Sequence, residues 1–266
     1  MTKIERQRAH FDKIAAEYYA ARRNSNHVLL KSLIWKEFFS RWPGPRRGDL
    51  DVLEAMCGFA EGKDIIENGL GATIRYTGFD YSNEVVARLQ DTRPELQVTC
   101  ADVTNFTPTK QYDIVMLLGG LHHVPDAAGD VIVRLVAALR PGGYFINLEP
   151  THGNAVFRLI RQVIYRRNAL FDSATEQAFV TDRLFALFEN AGLALVDTMY
   201  PGLLSYVLYY NPDAFPLLNR GGERAVRAAF TIDRPFMRTG IGKILSFATL
   251  TLWQKSAFEE VADRPQ

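Results

Sequence analysis

From Asp49 onward the chain alternates short apolar runs with stretches of helical spacing, the pattern of βαβ units built around a parallel sheet. The first run, Leu50-Asp51-Val52-Leu53, ends at Glu54. A tight turn with Gly58 follows, then a helix beginning near Glu61 and running through Ile65 and Ile66. Further strands are expected at Thr73 to Phe79, ending at Asp80, at Leu96 to Cys100, followed by Asp102, and at Asp113 to Leu118. The helix after Ser82-Asn83-Glu84 buries Val85, Val86 and Leu89, and one from Asp126 to Leu139 buries Val131, Ile132 and Leu135. Arg140-Pro141-Gly142-Gly143 reads as a turn into a fifth strand, Tyr144 to Leu148. Beyond Glu149-Pro150 the spacing predicts helices at Phe157 to Arg167 and Thr181 to Asn190, a sixth strand at Leu193 to Met199, and a last one at Ile244 to Trp253. Residues 200–240 read as irregular.

Upstream, residues 3–22 have helical spacing with Ile4, Phe11, Ile14, Ala15 and Tyr18 inward. Asn24-Ser25-Asn26 breaks that helix and caps a second, whose inner face carries Leu30, Leu33, Ile34 and Phe38. Pro43 to Gly48 then forms a linker.

Size and charge narrow the class. With 266 residues the chain can bury a full core, and a net charge of +1 gives no global pull toward nucleic acid or an anionic membrane. A small-molecule acceptor is therefore expected, with no nucleic-acid partner, no integral membrane association, and a homodimer left open. No apolar run approaches the ~20 residues of a membrane span. The N-terminus shows no signal peptide, and with only Cys57 and Cys100 a reducing cytoplasm is expected, without a metal site.

The Glu54 to Lys63 loop lacks both the G-x-G-x-x-G spacing of dinucleotide sites and the lysine and hydroxyl of a phosphate loop. It offers instead an acid that can meet a positively charged ligand, and glycines, Gly58 and Gly62, against which a ligand can lie. Continued by Asp80, Asp102 and Leu118-Gly119-Gly120-Leu121-His122-His123, it resembles the class I methyltransferases that use S-adenosyl-L-methionine.

That resemblance implies an α/β fold, a doubly wound Rossmann-like seven-stranded sheet, mostly parallel with an antiparallel C-terminal strand. It also implies an N-terminal helical lid (1–45), a cofactor-binding core (46–200 and 242–256) and a substrate-side cap inserted between the last two strands (201–241). Asp80 is then placed for the ribose hydroxyls, since one carboxylate offers two oxygens. Asp102 is placed for the adenine amino group, and the N–H of Val103 for a ring nitrogen. Met56, Gly58 and Gly119 bring backbone to the methionine part, and Tyr18, Glu54, Gly62, Tyr81 and Leu118 complete the cofactor set. Taken singly, each acid is equally well explained as a helix cap. The chain departs from the family where Ala60 stands two residues after Gly58, a place the family usually gives to glycine.

Methyl transfer needs alignment at ~3–3.5 Å and exclusion of water, and a general base only when the acceptor must lose a proton. His123, with His122 beside it, is the candidate base, and Tyr18 or Tyr19 can pair with it as in phosphoethanolamine methyltransferases. The two histidines serve equally to orient a loop; His152 is a further candidate. Tyr206, Tyr209, Tyr210 and Phe215 can wall an acceptor pocket or form ordinary core. Arg158, Arg161, Arg166 and Arg167 can attract an acidic substrate or simply be a solvated helix face. Alternatives of the same fold are a lipid or glycan methyltransferase, other sulfonium chemistry, and a nucleotide-binding module without transfer activity.

Overall fold

A computed structural model describes residues 19, 20, 22–154, 157–159, 163, 178–212 and 215–257. The strands are β1 (Asp51–Ala55), β2 (Arg75–Asp80), β3 (Gln97–Cys100), β4 (Tyr112–Leu118), β5 (Leu139–His152), β6 (Phe179–Val180), β7 (Leu193–Met199) and β8 (Ala248–Lys255). They form one sheet in the order β3-β2-β1-β4-β5-β8-β7, with β6 paired beside the end of β5. All neighbours run parallel except β8, which is antiparallel to both β5 and β7. This is the expected α/β doubly wound sheet with its antiparallel C-terminal strand.

Side chains of a strand alternate between faces, and here both faces are apolar. Val52, Ile114, Met116, Ile146 and Leu252 point to one side, where α1 (Ser25–Phe39), α2 (Glu61–Leu70) and α3 (Asn83–Thr92) contribute Leu30, Ile34, Phe38, Ile66 and Val85. Leu53, Val115, Leu117, Phe145 and Trp253 point to the other, against Val131, Ile132 and Leu135 of α4 (Ala128–Ala137) and Leu184 and Phe188 of α5 (Thr181–Asn190). A sheet covered on both faces needs such continuous apolar strands. Asn24 caps α1 as expected, its Oδ1 accepting from the N–H groups of Asn26 and His27.

Three expectations are corrected. Arg140 to Gly143 does not lie between elements but within β5: Tyr112 pairs with Leu139 and Ile114 with Tyr144, so these four residues form a bulge in which Gly142 is left-handed (φ 76°) and its carbonyl accepts from the Gln254 side chain at 3.1 Å. Residues 200–240 are not irregular: they hold α6 (Leu204–Tyr209) and α7 (Gly222–Asp233). Ile244 lies in α8 (Gly240–Leu245), and the last strand starts four residues later, at Ala248, after a Ser246 hydroxyl that accepts from the Gly202 N–H at 2.9 Å.

The insertion is fastened to α1. His27 sits neutral, since burial beside Arg22 and Lys31 pushes its pKa down to about 3, and its Nδ1–H donates to the Tyr210 carbonyl at 2.6 Å. Asn26 donates to Asn219 at 2.7 Å, and Arg234 pairs with Glu37 at 2.8 Å. At the N-terminal edge of the strands, Asp51 gathers Arg75 at 2.9 Å and Arg140 at 2.8 Å, which hold its carboxyl well below the usual range. Among the described residues, no helix is long and apolar enough to cross a membrane.

Candidate active site

β1 pairs with β2 on one side and β4 on the other, so the direction of winding reverses there. Ligands of such sheets bind at the C-terminal strand ends beside that reversal. The turn leaving β1 is tightly coiled: Met56 (φ 52°), Gly58 (φ 51°) and Ala60 (φ 56°) are all left-handed. For the two residues with a Cβ this conformation costs on the order of 1–2 kcal/mol each. It is held by the Cys57 N–H donating to the Phe79 carbonyl at 2.9 Å and the Ala60 N–H to the Cys57 carbonyl at 2.8 Å. Ala60 thus adopts the conformation that glycine takes more easily, fully buried in the core.

The two glycines of this turn differ. A β-carbon on Gly58 would meet nothing within 4 Å, so its backbone borders open space. At Gly62 a β-carbon would stand 2.5 Å from the Glu54 Cδ. On that side of Gly62 the space is filled by the chain itself.

Glu54 itself faces the start of α2. Its carboxylate is 3% exposed and turned inward. It accepts from the Gly62 N–H at 3.2 and 3.1 Å and from the Tyr76 hydroxyl at 2.5 Å. The acid therefore fastens the first turn of α2, where helix N–H groups lack partners. Burial pushes its pKa up to about 8, against the pull of Tyr76 and of Lys31, which pairs with Glu61 nearby.

Asp80 stands at the end of β2, its Oδ2 accepting from the Gly58 N–H at 2.9 Å and its Oδ1 from the Ser82 N–H at 3.0 Å. It thereby ties the open part of the β1 turn to the start of α3. Tyr81 beside it is half-buried, and its carbonyl receives the Cys100 thiol at 3.6 Å. Asp102 caps the short turn Val103–Asn105, its Oδ1 accepting from the N–H and the hydroxyl of Thr104, both at 2.8 Å. Val103 is buried, and Phe79 and Phe106 stack at 4.6 Å beneath it.

Leu118 ends β4 half-buried, and Gly119 is left-handed (φ 69°), its N–H donating to the Leu148 carbonyl at 2.6 Å. A β-carbon on Gly120 would strike the Met56 sulfur at 2.7 Å, so the turns leaving β1 and β4 touch. The turn Leu121–His123 is organised by a residue that the sequence reading passed over. Glu149, fully buried on β5, accepts from the N–H groups of Gly120 (2.9 Å), Leu121 (2.8 Å) and His122 (3.3 Å), and bonds the His122 Nδ1 at 2.9 Å. The signal was present in the sequence: Glu149 is a fourth acid at a strand's C-terminal part, after Glu54, Asp80 and Asp102. His123 lies against His122, ring centroids 3.9 Å apart. His152 is buried at the end of β5.

Tyr18 lies outside the described residues. Tyr19 packs on Phe59 of the β1 turn at 4.7 Å, with the Arg23 and Arg88 guanidinium groups over its ring at 4.5 and 5.9 Å. In the insertion, Tyr206 and Tyr210 stack at 4.2 Å, while Tyr209 is buried and donates to the Arg220 carbonyl at 3.1 Å. Arg158 is exposed; Arg161, Arg166 and Arg167 lie outside the described residues.

Residues 52–143, which hold the reversal at β1 and the acids on its C-terminal edge, match the family model of the methyltransferase domain. The match is consistent with the expected class I S-adenosylmethionine-dependent methyltransferase. A demethylmenaquinone methyltransferase of Listeria monocytogenes is 24% identical over 225 residues, covering 74% of this chain and 91% of that one. Trans-aconitate 2-methyltransferase of Escherichia coli is 28% identical over 123 residues, 44% of this chain and 46% of its own. Among solved structures, the DhpI–SAH complex shares the fold with a TM-score of 0.58 at 16% identity, covering 96% of this chain and 98% of that one.

Proposed function

We propose that this chain binds S-adenosylmethionine at the C-terminal ends of β1, β2 and β4 and methylates an oxygen or nitrogen of a small molecule in the cytoplasm. The observation that carries the reading is the open backbone at Gly58, held by Asp80 at the point where strand order reverses. The residues present suit such a ligand. Gly58 borders open space, and Asp80 and Asp102 are acceptors for hydroxyl and amino donors. Two free cysteines, one buried and one exposed, agree with a reducing compartment.

When bound, S-adenosylmethionine supplies a methyl carbon on a cationic sulfur, which keeps the electron pair of the bond that breaks. The chain's own residues have three tasks. Asp80, Asp102, Val103, Met56, Gly58, Tyr81, Leu118 and Gly119 hold the adenosyl and methionine parts. The N-terminal segment, with Tyr18, and the insertion exclude water. The turn with His122 and His123 faces the acceptor.

Isothermal titration tests the site: S-adenosylmethionine binds the wild type, and Asp80→Asn weakens it about 10–100-fold, the range of a lost charged hydrogen bond. Release of S-adenosylhomocysteine from a panel including demethylmenaquinone and trans-aconitate, the compounds in the relatives' names, tests the reaction. Binding without turnover on any acceptor favours a nucleotide-binding module, and no binding at all refutes the proposal.

A further inference from the structure

Glu149 and His122 form a pair that holding a methyl donor does not require. The carboxylate is fully buried on β5. Its donors include the backbone N–H groups of Gly120, Leu121 and His122, so it sets the shape of the turn after β4. Another is the His122 Nδ1 at 2.9 Å, so the same carboxylate also sets the angle of a ring. Burial pushes the Glu149 carboxyl up to about 8, against the pull of the Leu121, Gly120 and His122 N–H groups; in its ionised form it only accepts, which puts the neutral imidazole's proton on Nδ1 and its lone pair on Nε2. The Cε1 edge of that ring lies alongside Gly119, 3.9 Å from where a β-carbon there would stand. The ring is thus held beside the end of β4, at the reversal of strand order.

A base oriented by a buried carboxylate is the arrangement that proton removal from an acceptor calls for. Building on the methyltransferase reading above, we infer that His122 Nε2 takes the acceptor's proton and that Glu149 is its positioning residue. The class of acceptor follows. It is a molecule whose methylated atom sheds a proton, a hydroxyl or a protonated nitrogen. The proton moves to Nε2, and the electron pair it leaves on the oxygen or nitrogen forms the new bond to carbon. The imidazolium so formed faces the Glu149 carboxylate, which offsets its charge. His123, stacked on His122, supports the ring.

Long-range nitrogen–proton NMR of the full chain with labelled histidine, with S-adenosylhomocysteine as the added probe, reads the tautomer directly. His122 carries its proton on Nδ1 in the wild type and on Nε2 in Glu149→Gln, whose amide nitrogen donates to Nδ1. Nε2–H in the wild type, or the same tautomer in both proteins, overturns the inference; the wild-type arm stands even where the variant does not fold. On an acceptor found in the panel, Glu149→Gln and His122→Ala each lower kcat ~10²–10⁴-fold, with little change in KM, and the double variant loses no more. Full turnover by His122→Ala overturns the base while leaving methyl transfer intact. Failure of the wild type to bind S-adenosylhomocysteine sinks the methyltransferase reading instead.

Discussion

On helix propensity alone, Gly62→Ala in the first turn of α2 stabilises a chain by up to about 1 kcal/mol. In this fold the sign reverses. The new β-carbon would stand 2.5 Å from the Glu54 Cδ and 2.6 Å from each carboxylate oxygen. The carboxylate cannot step aside, because the Tyr76 hydroxyl at 2.5 Å and the Gly62 N–H itself hold it in place. Overpacking costs about 1–3 kcal/mol, and stranding a buried hydrogen-bonding group about 1–3 kcal/mol more. Set against the gain in propensity, the net loss is about 1–5 kcal/mol. Urea unfolding followed by circular dichroism measures it by linear extrapolation. The decisive control is a Glu54→Ala background, where the obstacle is gone and the same substitution becomes neutral or mildly stabilising. An equal penalty in both backgrounds would refute the steric argument, and a single variant within about 0.5 kcal/mol of wild type would refute it outright.

Tyr76→Phe leaves the buried Glu54 short of a donor and lowers stability by about 1–3 kcal/mol in the same assay; no change would mean the hydroxyl is not needed. Trp253→Ala, removing a fully buried ring stacked on Phe188 at 5.0 Å, costs about 3–5 kcal/mol, and a thermal midpoint near wild type contradicts that. Glu54 titrates at about 8 in the fold against an ordinary 4.5, so across that interval the folded chain binds the extra proton and stability falls as pH rises. Glu54→Gln flattens that slope, and an unchanged slope in urea midpoints counts against the buried acid. Asp51 behaves oppositely: its carboxyl is depressed, so its contribution is present above the ordinary 3.8 and is lost as pH falls below it. Since its partners are half in water, Asp51→Asn costs only about 1 kcal/mol at neutral pH and softens the acid limb; an acid limb as steep as the wild type's speaks against it.

The strands and their acids were legible because burial on both faces leaves runs such as Ile114 to Leu118 without polar interruption. Glu54 shows the limit of that reading. Its place at a strand end was evident, but whether its carboxylate faced a ligand or the helix start depended on Tyr76, a residue of the neighbouring strand 22 positions away in the chain. The insertion was opaque for another reason: α6 and α8 are single six-residue pieces, too short to show a period, and α7 opens on Gly222. Ile244 misled because a short apolar run cannot tell a buried strand from a helix turn. Glu149 stood visibly among the strand-end acids, but its role was missed because most of its partners are backbone N–H groups, which a sequence does not display.

The position of β8 has a consequence for how the molecule is made. This strand lies between β5 and β7 and joins them, yet it is translated after both. While residues 248–255 are still within the ribosome, β5 has a bare hydrogen-bonding edge and β7 has nothing to lean on. Such edges recruit other chains. The nascent protein therefore passes through a stage in which its half-built sheet is open to aggregation, and its last-made strand works as the keystone.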